Sequence, residues 1–248
     1  MRGGDRPVHA GFRAAYRALE TRMRALAEAD GDVFLPNPEP SPPVEYVFIC
    51  MEPSIGRWGV HSMDEARRKV DDGFRNFVSS MEDFLLHFAI RKYLCGPGQR
   101  YHITDLSKGA MLVKRADVAR FERYDRWYPL LLEELALVAA PKALIFAVGD
   151  VAASYLAERG FTGTFKRIMH YSSQAAAARL AATRGREAAF AAFSDSVTLA
   201  DVLAAAKDVL DASAPGLRDQ TLARLSRGRL SESQKRLVFV YKLAFEGE

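Results

Sequence analysis

The strongest constraint on this 248-residue chain is the stretch from Val44 to Gly59, VEYVFICMEPSIGRWG. Val44 to Cys50 is a hydrophobic run that reads as a buried strand. It stops at Met51-Glu52-Pro53-Ser54, because proline cannot continue a central strand. The stop leaves one carboxylate, Glu52, at the carboxyl end of a core strand. In an open parallel α/β sheet ligands bind at that end, so Glu52 is the first candidate site residue.

The remaining pattern supplies the rest of such a sheet. Upstream, Phe12, Tyr16, Leu19, Met23 and Leu26 recur at helical spacing and give one apolar face to a helix from about His9 to Ala29. Arg13, Arg17, Arg22 and Arg24 lie off that stripe and read as a solvated face. Gly31 and the prolines at 36, 38, 40, 42 and 43 form an extended connector. Downstream, Ser62 and Glu65 have the spacing of a capping box, predicting a short helix over 63–70. An irregular segment carries Phe74 and Phe77, and a helix is predicted over 81–94. Tyr101 to Leu106 is the second strand. A long helix over 120–140 follows, started or kinked by Pro129 and stopped at Pro141. Ala143 to Val148 is an uninterrupted apolar run, as expected for a strand buried on both faces. Gly149-Asp150 turns into a helix over 151–158. Thr164 to Met169 is the fourth strand, and a helix over 174–183 follows it.

Strands and helices alternate four times. The predicted fold is therefore α/β, three layers (α/β/α) around a central four-stranded parallel sheet, with extra helices at both termini. Residues 1–193 form that domain, and residues 194–248 form a helical extension packed on it. Helices are predicted in the extension over 199–210 and from a Ser231/Gln234 capping box to about Phe245, with a basic, turn-rich stretch between.

Apolar residues make up 49% of the chain, enough for a sizeable core. Two cysteines, Cys50 and Cys95, argue against a disulfide framework and exclude a zinc or iron–sulfur site that needs four cysteines from this chain. No metal and no cofactor is expected. There is no secretory pattern and no apolar run of about 18 residues, which predicts a cytoplasmic monomer without membrane contact. A net charge of +4 and a pI near 9.1 favour a polyanionic partner only slightly. No GxGxxG or Walker loop follows the first strand, which argues against a dinucleotide or nucleoside-triphosphate enzyme.

Three polar residues fall at equivalent places: Glu52 after strand one, Asp105 at the end of strand two and His170 after strand four. In a parallel sheet these ends share one edge, so two carboxyl groups and an imidazole face a common cleft. With Cys50-Met51-Glu52-Pro53-Ser54, the strand Tyr101 to Ala110, the run Trp127 to Leu156 and His170-Tyr171-Ser172-Ser173, the chain from Val44 to about Leu180 resembles the uracil-DNA glycosylase superfamily. The resemblance implies a monofunctional DNA glycosylase that takes DNA as partner and leaves an abasic site. Glu52 would stabilise the cationic sugar and orient water, and His170 would donate to the departing base. Base recognition would fall to Asp105, Phe77, Phe74, Ser54 and Met51, with Phe77 favoured as the stacking ring. Ser172, Ser173, Gln174, Lys108 and Arg57 would contact DNA, Gln174 as a wedge into the duplex.

The departures from the family pattern bear on the substrate. Cys50 replaces the usual glycine, Tyr171 the usual proline, and Asp105 the asparagine of uracil-reading relatives. A carboxyl group accepts from the cytosine N4 amino group and, when protonated, donates to N3. Ser54 leaves the C5 side open where some relatives carry an aromatic wall. Asp105 and Ser54 together suggest a cytosine-type base, including the 5-modified cytosines of phage DNA. The rival readings are an ordinary uracil-DNA glycosylase and a catalytically inactive relative that binds DNA.

Overall fold

A computed structural model of the chain describes residues 8–55, 60, 62–112, 115, 118–172 and 175–246. Its sheet is built from β2 (Val44–Cys50), β3 (Tyr101–Asp105), β5 (Ala139–Val148) and β6 (Phe165–Ile168), ordered β3-β2-β5-β6 and parallel throughout. Period-2 alternation along β2 divides its side chains between two cores. Tyr46, Phe48 and Cys50 enter one cluster and Val47 and Ile49 the other, which Val44 joins from before the register shift between Val44 and Tyr46. Both faces of β2 are thus covered, which explains its continuous hydrophobic run.

One face is covered by α4 (Arg120–Val138) and α5 (Asp150–Glu158), with Tyr16 of α1 (Val8–Ala29) joining the same cluster. The other carries α3 (Met81–Tyr93) at its centre, with α8 (Leu199–Ser213) and α10 (Glu232–Phe245) packed on α3. Helices on both faces of a four-stranded parallel sheet make an α/β fold of three layers. Residues beyond 194 contribute Val202, Leu210, Leu237, Val238 and Phe239 to the α3-side cluster.

The remaining elements refine the predicted pattern. Ser62 accepts a hydrogen bond from the Glu65 N–H, starting α2 (Met63–Asp71) where the capping box predicted it. Two-residue strands β1 (Val33–Phe34) and β4 (Gly109–Ala110) pair antiparallel. They are too short for periodicity to reveal. Helices α6 (Ala176–Ala182), α7 (Glu187–Ser194) and α9 (Arg218–Leu225) complete the set. The last of these occupies the stretch read as turn-rich, with Arg218 bridging Asp211 and Asp219. Pro129 lies inside α4 rather than at its start. Pro141 lies inside β5, where the pairing with β2 shifts register between Val44 and Tyr46. A proline fits such an irregularity because it has no ladder N–H to lose. Among the described residues no single helix is long and apolar enough to cross a membrane.

Candidate active site

Register decides which residues meet. Cys50 pairs with Asp105, Ile49 with Ala147, and Val148 with Ile168. Asp105 therefore ends β3 level with Cys50, Glu52 follows β2 by two residues, and His170 follows β6 by two. Strands lie about 4.8 Å apart. Glu52 is thus one strand from Asp105, and His170 is two strands, roughly 10 Å, from Glu52.

Glu52 is enclosed, its side chain only 3% exposed. Its Oε1 lies 3.0 Å from Arg120 Nη2 and 3.9 Å from Arg123 Nη2, and the Tyr124 hydroxyl donates to its Oε2. All three partners come from the first turns of α4, at the i, i+3 and i+4 positions that share one helix face. The positive end of the α4 dipole adds to the same field. Glu52 is therefore a fixed negative charge whose lone pairs are contested by two guanidiniums and a phenol.

Asp105 is 3% exposed, and burial pushes its carboxyl well above the ordinary range. Lys108 and the hydrogen bond from Asn76 oppose that shift, while Glu134 and Glu52 reinforce it. Asn76 fixes the orientation. Its Oδ1 accepts the Phe77 N–H at 3.0 Å, so its Nδ2 faces Asp105 and donates to Oδ2 at 2.7 Å. With Oδ2 already accepting, the acid proton belongs on Oδ1.

His170 is set by its own loop. The Ser172 N–H donates to His170 Nδ1 at 3.0 Å, which leaves the proton of the neutral ring on Nε2. Tyr171 stacks on the imidazole with centroids 4.8 Å apart and meets the edge of Phe77 at 6.4 Å. Tyr171 thus links imidazole and phenylalanine. Arg179 of α6, 1% exposed, donates to the carbonyls of Tyr171 and Ser172, both at 2.6 Å. Tyr241 of α10 donates to the Met169 carbonyl at 2.9 Å.

Gly149 backs the ring. It has φ +93° and ψ 168°, a region essentially reserved for glycine, and an added Cβ would meet His170 Cβ at 3.1 Å and Cδ2 at 3.2 Å. Gly149→Ala is expected to cost about 1–3 kcal/mol and to displace the imidazole. Thermal unfolding and the His170 ring resonances check this; an unmoved resonance with unchanged stability would defeat it.

Not every residue singled out from the sequence comes to this edge. Phe74 is corrected: it lies in a separate apolar cluster with Val33, Leu35, Ile55 and Val70, 6% exposed. Lys108 is also corrected. It is 2% exposed and bonded to Glu134 at 2.5 Å and Thr104 at 2.6 Å, so it is withdrawn from any phosphate. Phe77 does come to the site, with φ +59° and a ring 1% exposed against Tyr171. Met51 is half-buried against the α4–α5 core, and Ser54 is half-buried and bridged through its backbone to Met111. Arg57, Ser173 and Gln174, like Trp58 and His61, lie outside the described residues.

Sequence reasoning missed Asn76, the Arg120/Arg123/Tyr124 face, Arg179, His87 and Glu134. Only two of these left a signal. The three α4 residues share a helix face, and Glu134 interrupts the apolar stripe Leu131, Leu135, Val138. His87, 4% exposed, donates from Nε2 to the Phe77 carbonyl at 2.9 Å and accepts from the Tyr101 hydroxyl at 2.7 Å. Burial lowers it to about 4, so it is neutral at pH 7 and holds the Phe77 turn without adding charge.

Among the described residues, no group of three or more His, Cys, Asp or Glu side chains could hold a metal ion. Two cavities lie away from this edge: one of about 620 Å³ lined in part by Tyr101, His102 and Ile103 of β3, and one of about 440 Å³ lined in part by α1 and the segment after β1; Glu52, Asp105 and His170 line neither. No protein-family model, curated protein or solved structure matches the chain.

Proposed function

We propose that the protein is a DNA glycosylase that hydrolyses the N-glycosidic bond of a flipped cytosine-type base, including 5-substituted cytosines, and leaves an abasic site. One observation carries the reading. A carboxyl group favoured in its neutral form, Asp105, and an imidazole with its Nδ1 occupied, His170, flank a fixed carboxylate, Glu52, at one sheet edge. Each matches a demand of the reaction. Bond cleavage builds positive charge on the sugar and negative charge on the leaving base. Glu52 opposes the first, and the His170 Nε2–H donates to the base oxygen as the second develops. Neutral Asp105 offers O–H from Oδ1 to cytosine N3 and a lone pair on Oδ2 to the N4 amino group. The enclosure of Glu52 by Arg120, Arg123 and Tyr124 suits it to electrostatic stabilisation more than to proton abstraction.

A second reading has its own support. A protonated carboxyl carries the same donor and acceptor pair as an amide. Turned over, it accepts from uracil N3–H and donates to O4. Uracil excision is therefore the alternative base for the same machinery.

Base release from uracil, cytosine and 5-substituted cytosines, in single and double strands at stated salt, tests both readings, with alkaline cleavage reporting abasic sites. Cytosine derivatives are expected to be cleaved best. His170→Asn is expected to slow release about 100-fold or more without changing DNA affinity. DNA binding with no base released from any substrate would instead identify an inactive DNA-binding relative.

A further inference from the structure

The polar cavity beside α1 belongs to no part of this chemistry, and its lining is specific. Arg17, Glu20 and Arg24 occupy one face of α1 at i, i+3 and i+7, with Thr21 between them, and all turn to the cavity. Arg75 joins from the segment after α2, its Nη1 donating to the Phe74 carbonyl at 2.9 Å. Arg24 lies over the Phe34 ring, 5.1 Å from its centroid. Arg17 and Arg24 have no ion pair among the described residues. Glu39, at the rim, is engaged with Arg13 at 3.3 Å. With Glu39 engaged by Arg13, Glu20 is left facing the three guanidiniums, so the lining keeps a net positive charge.

The second observation is Asn37, 3% exposed and lining the same cavity, whose Oδ1 has no hydrogen-bond partner. Its orientation is set from behind. The Thr104 hydroxyl gives its proton to Glu134 at 2.8 Å and accepts from Lys108 at 2.6 Å. Thr104 Oγ1 has only acceptor capacity left, so Asn37 must present Nδ2 to it, at 3.3 Å. The carbonyl end of the amide is then left without a partner, in a residue of the cavity wall. A buried unpaired acceptor costs about 1–3 kcal/mol unless a ligand supplies a donor.

We infer that this cavity binds a phosphomonoester that also carries a hydrogen-bond donor, with Arg17, Arg24 and Arg75 on the phosphate and Asn37 Oδ1 on the donor. A volume of about 440 Å³ accommodates a mononucleotide. The same chemistry is offered by a free mononucleotide and by the 5′-phosphate end of a DNA strand. The inference stands independently of the glycosylase reading.

Calorimetric titration of the full chain with dCMP, deoxycytidine and inorganic phosphate tests it, alongside paired oligonucleotides with a 5′-phosphate or a 5′-hydroxyl. The expected order is dCMP above phosphate, with deoxycytidine weakest. Arg17→Gln/Arg24→Gln is expected to lose at least tenfold in dCMP affinity, and both positions are exposed, so folding is spared. Asn37→Leu, which removes the acceptor at similar volume, is expected to abolish the preference of dCMP over phosphate, with circular dichroism confirming the fold. A 5′-phosphate preference that disappears in the double arginine variant identifies a strand end as the source. Equal binding of the two oligonucleotides, with dCMP bound, identifies a free nucleotide. Absence of any phosphate-dependent binding, or binding unchanged in the double variant, overturns the inference.

Discussion

Asp105→Leu, which removes both the donor and the acceptor of this edge, is expected to lower release of cytosine-type bases about 100-fold or more, whereas Asp105→Asn is expected to retain it. The magnitude follows from the cost of an unpaired buried polar edge, which separates substrates more sharply than apolar shape does. Held by Asn76 on its oxygen, the asparagine amide presents N–H to cytosine N3 and its oxygen to the N4 amino group, the same edge as the neutral carboxyl but with a proton that pH cannot remove. Asn76 still donates to the retained side-chain oxygen, so the exchange is nearly isosteric.

The asparagine variant carries a signature in stability that needs no substrate. Burial raises the Asp105 carboxyl in the folded state, so the native protein binds more protons there than the unfolded chain. That contribution is complete below the unfolded pKa, near 3.8, and is lost as pH rises toward the folded value. Asp105→Asn removes the loss. It is expected to match wild type near pH 4 and to exceed it at pH 7, by about 2–4 °C in Tm per kcal/mol recovered. His87 titrates in the opposite sense, being lowered to about 4, but it is common to both proteins and cancels in the difference. If the two Tm curves run parallel from pH 4 to 8, Asp105 is not the buried neutral acid described.

Glu134→Gln is expected to give the largest loss of stability, about 3–5 kcal/mol, a large share of the 5–15 kcal/mol of a typical domain. Glu134 is fully buried in α4 and accepts from Tyr16 at 3.0 Å, His102 at 2.9 Å, Thr104 at 2.8 Å and Lys108 at 2.5 Å. Burial alone would raise its carboxyl. Lys108 and His102 reverse this and hold it well below the usual range. Glutamine keeps the shape but leaves the Lys108 ammonium without a counter-charge at 2% exposure. Urea titration at pH 7 measures the effect. A loss under about 1 kcal/mol would show that Lys108 finds another partner at little cost. The network also holds Thr104 beside Asp105, so impaired base release should accompany the unfolding shift.

Residue pattern alone yields the four strands of the parallel sheet and their common edge. Val44 to Cys50 and Ala143 to Val148 are apolar on both faces, and that leaves a sheet with helices on either side as their solution. Parallel order then placed Glu52, Asp105 and His170 at one end, because each follows or ends a strand at the same point in the repeat. Tertiary structure decided the chemical state of each. Asp105 favours its neutral form because the sheet buries it and Asn76, 29 residues away, occupies Oδ2. The His170 proton sits on Nε2 because Arg179 and Tyr241 hold the loop in which the Ser172 N–H meets Nδ1. Phe74 and Lys108, plausible contacts by position, became core because an apolar cluster and Glu134 claimed them. Local pattern fixes which face a residue takes within its own element. Protonation, tautomer and burial depend on partners distant in the chain, and the opening carboxylate shows the difference: Glu52 was visible at once, but Arg120, Arg123 and Tyr124 meet it only when α4 folds back across the sheet.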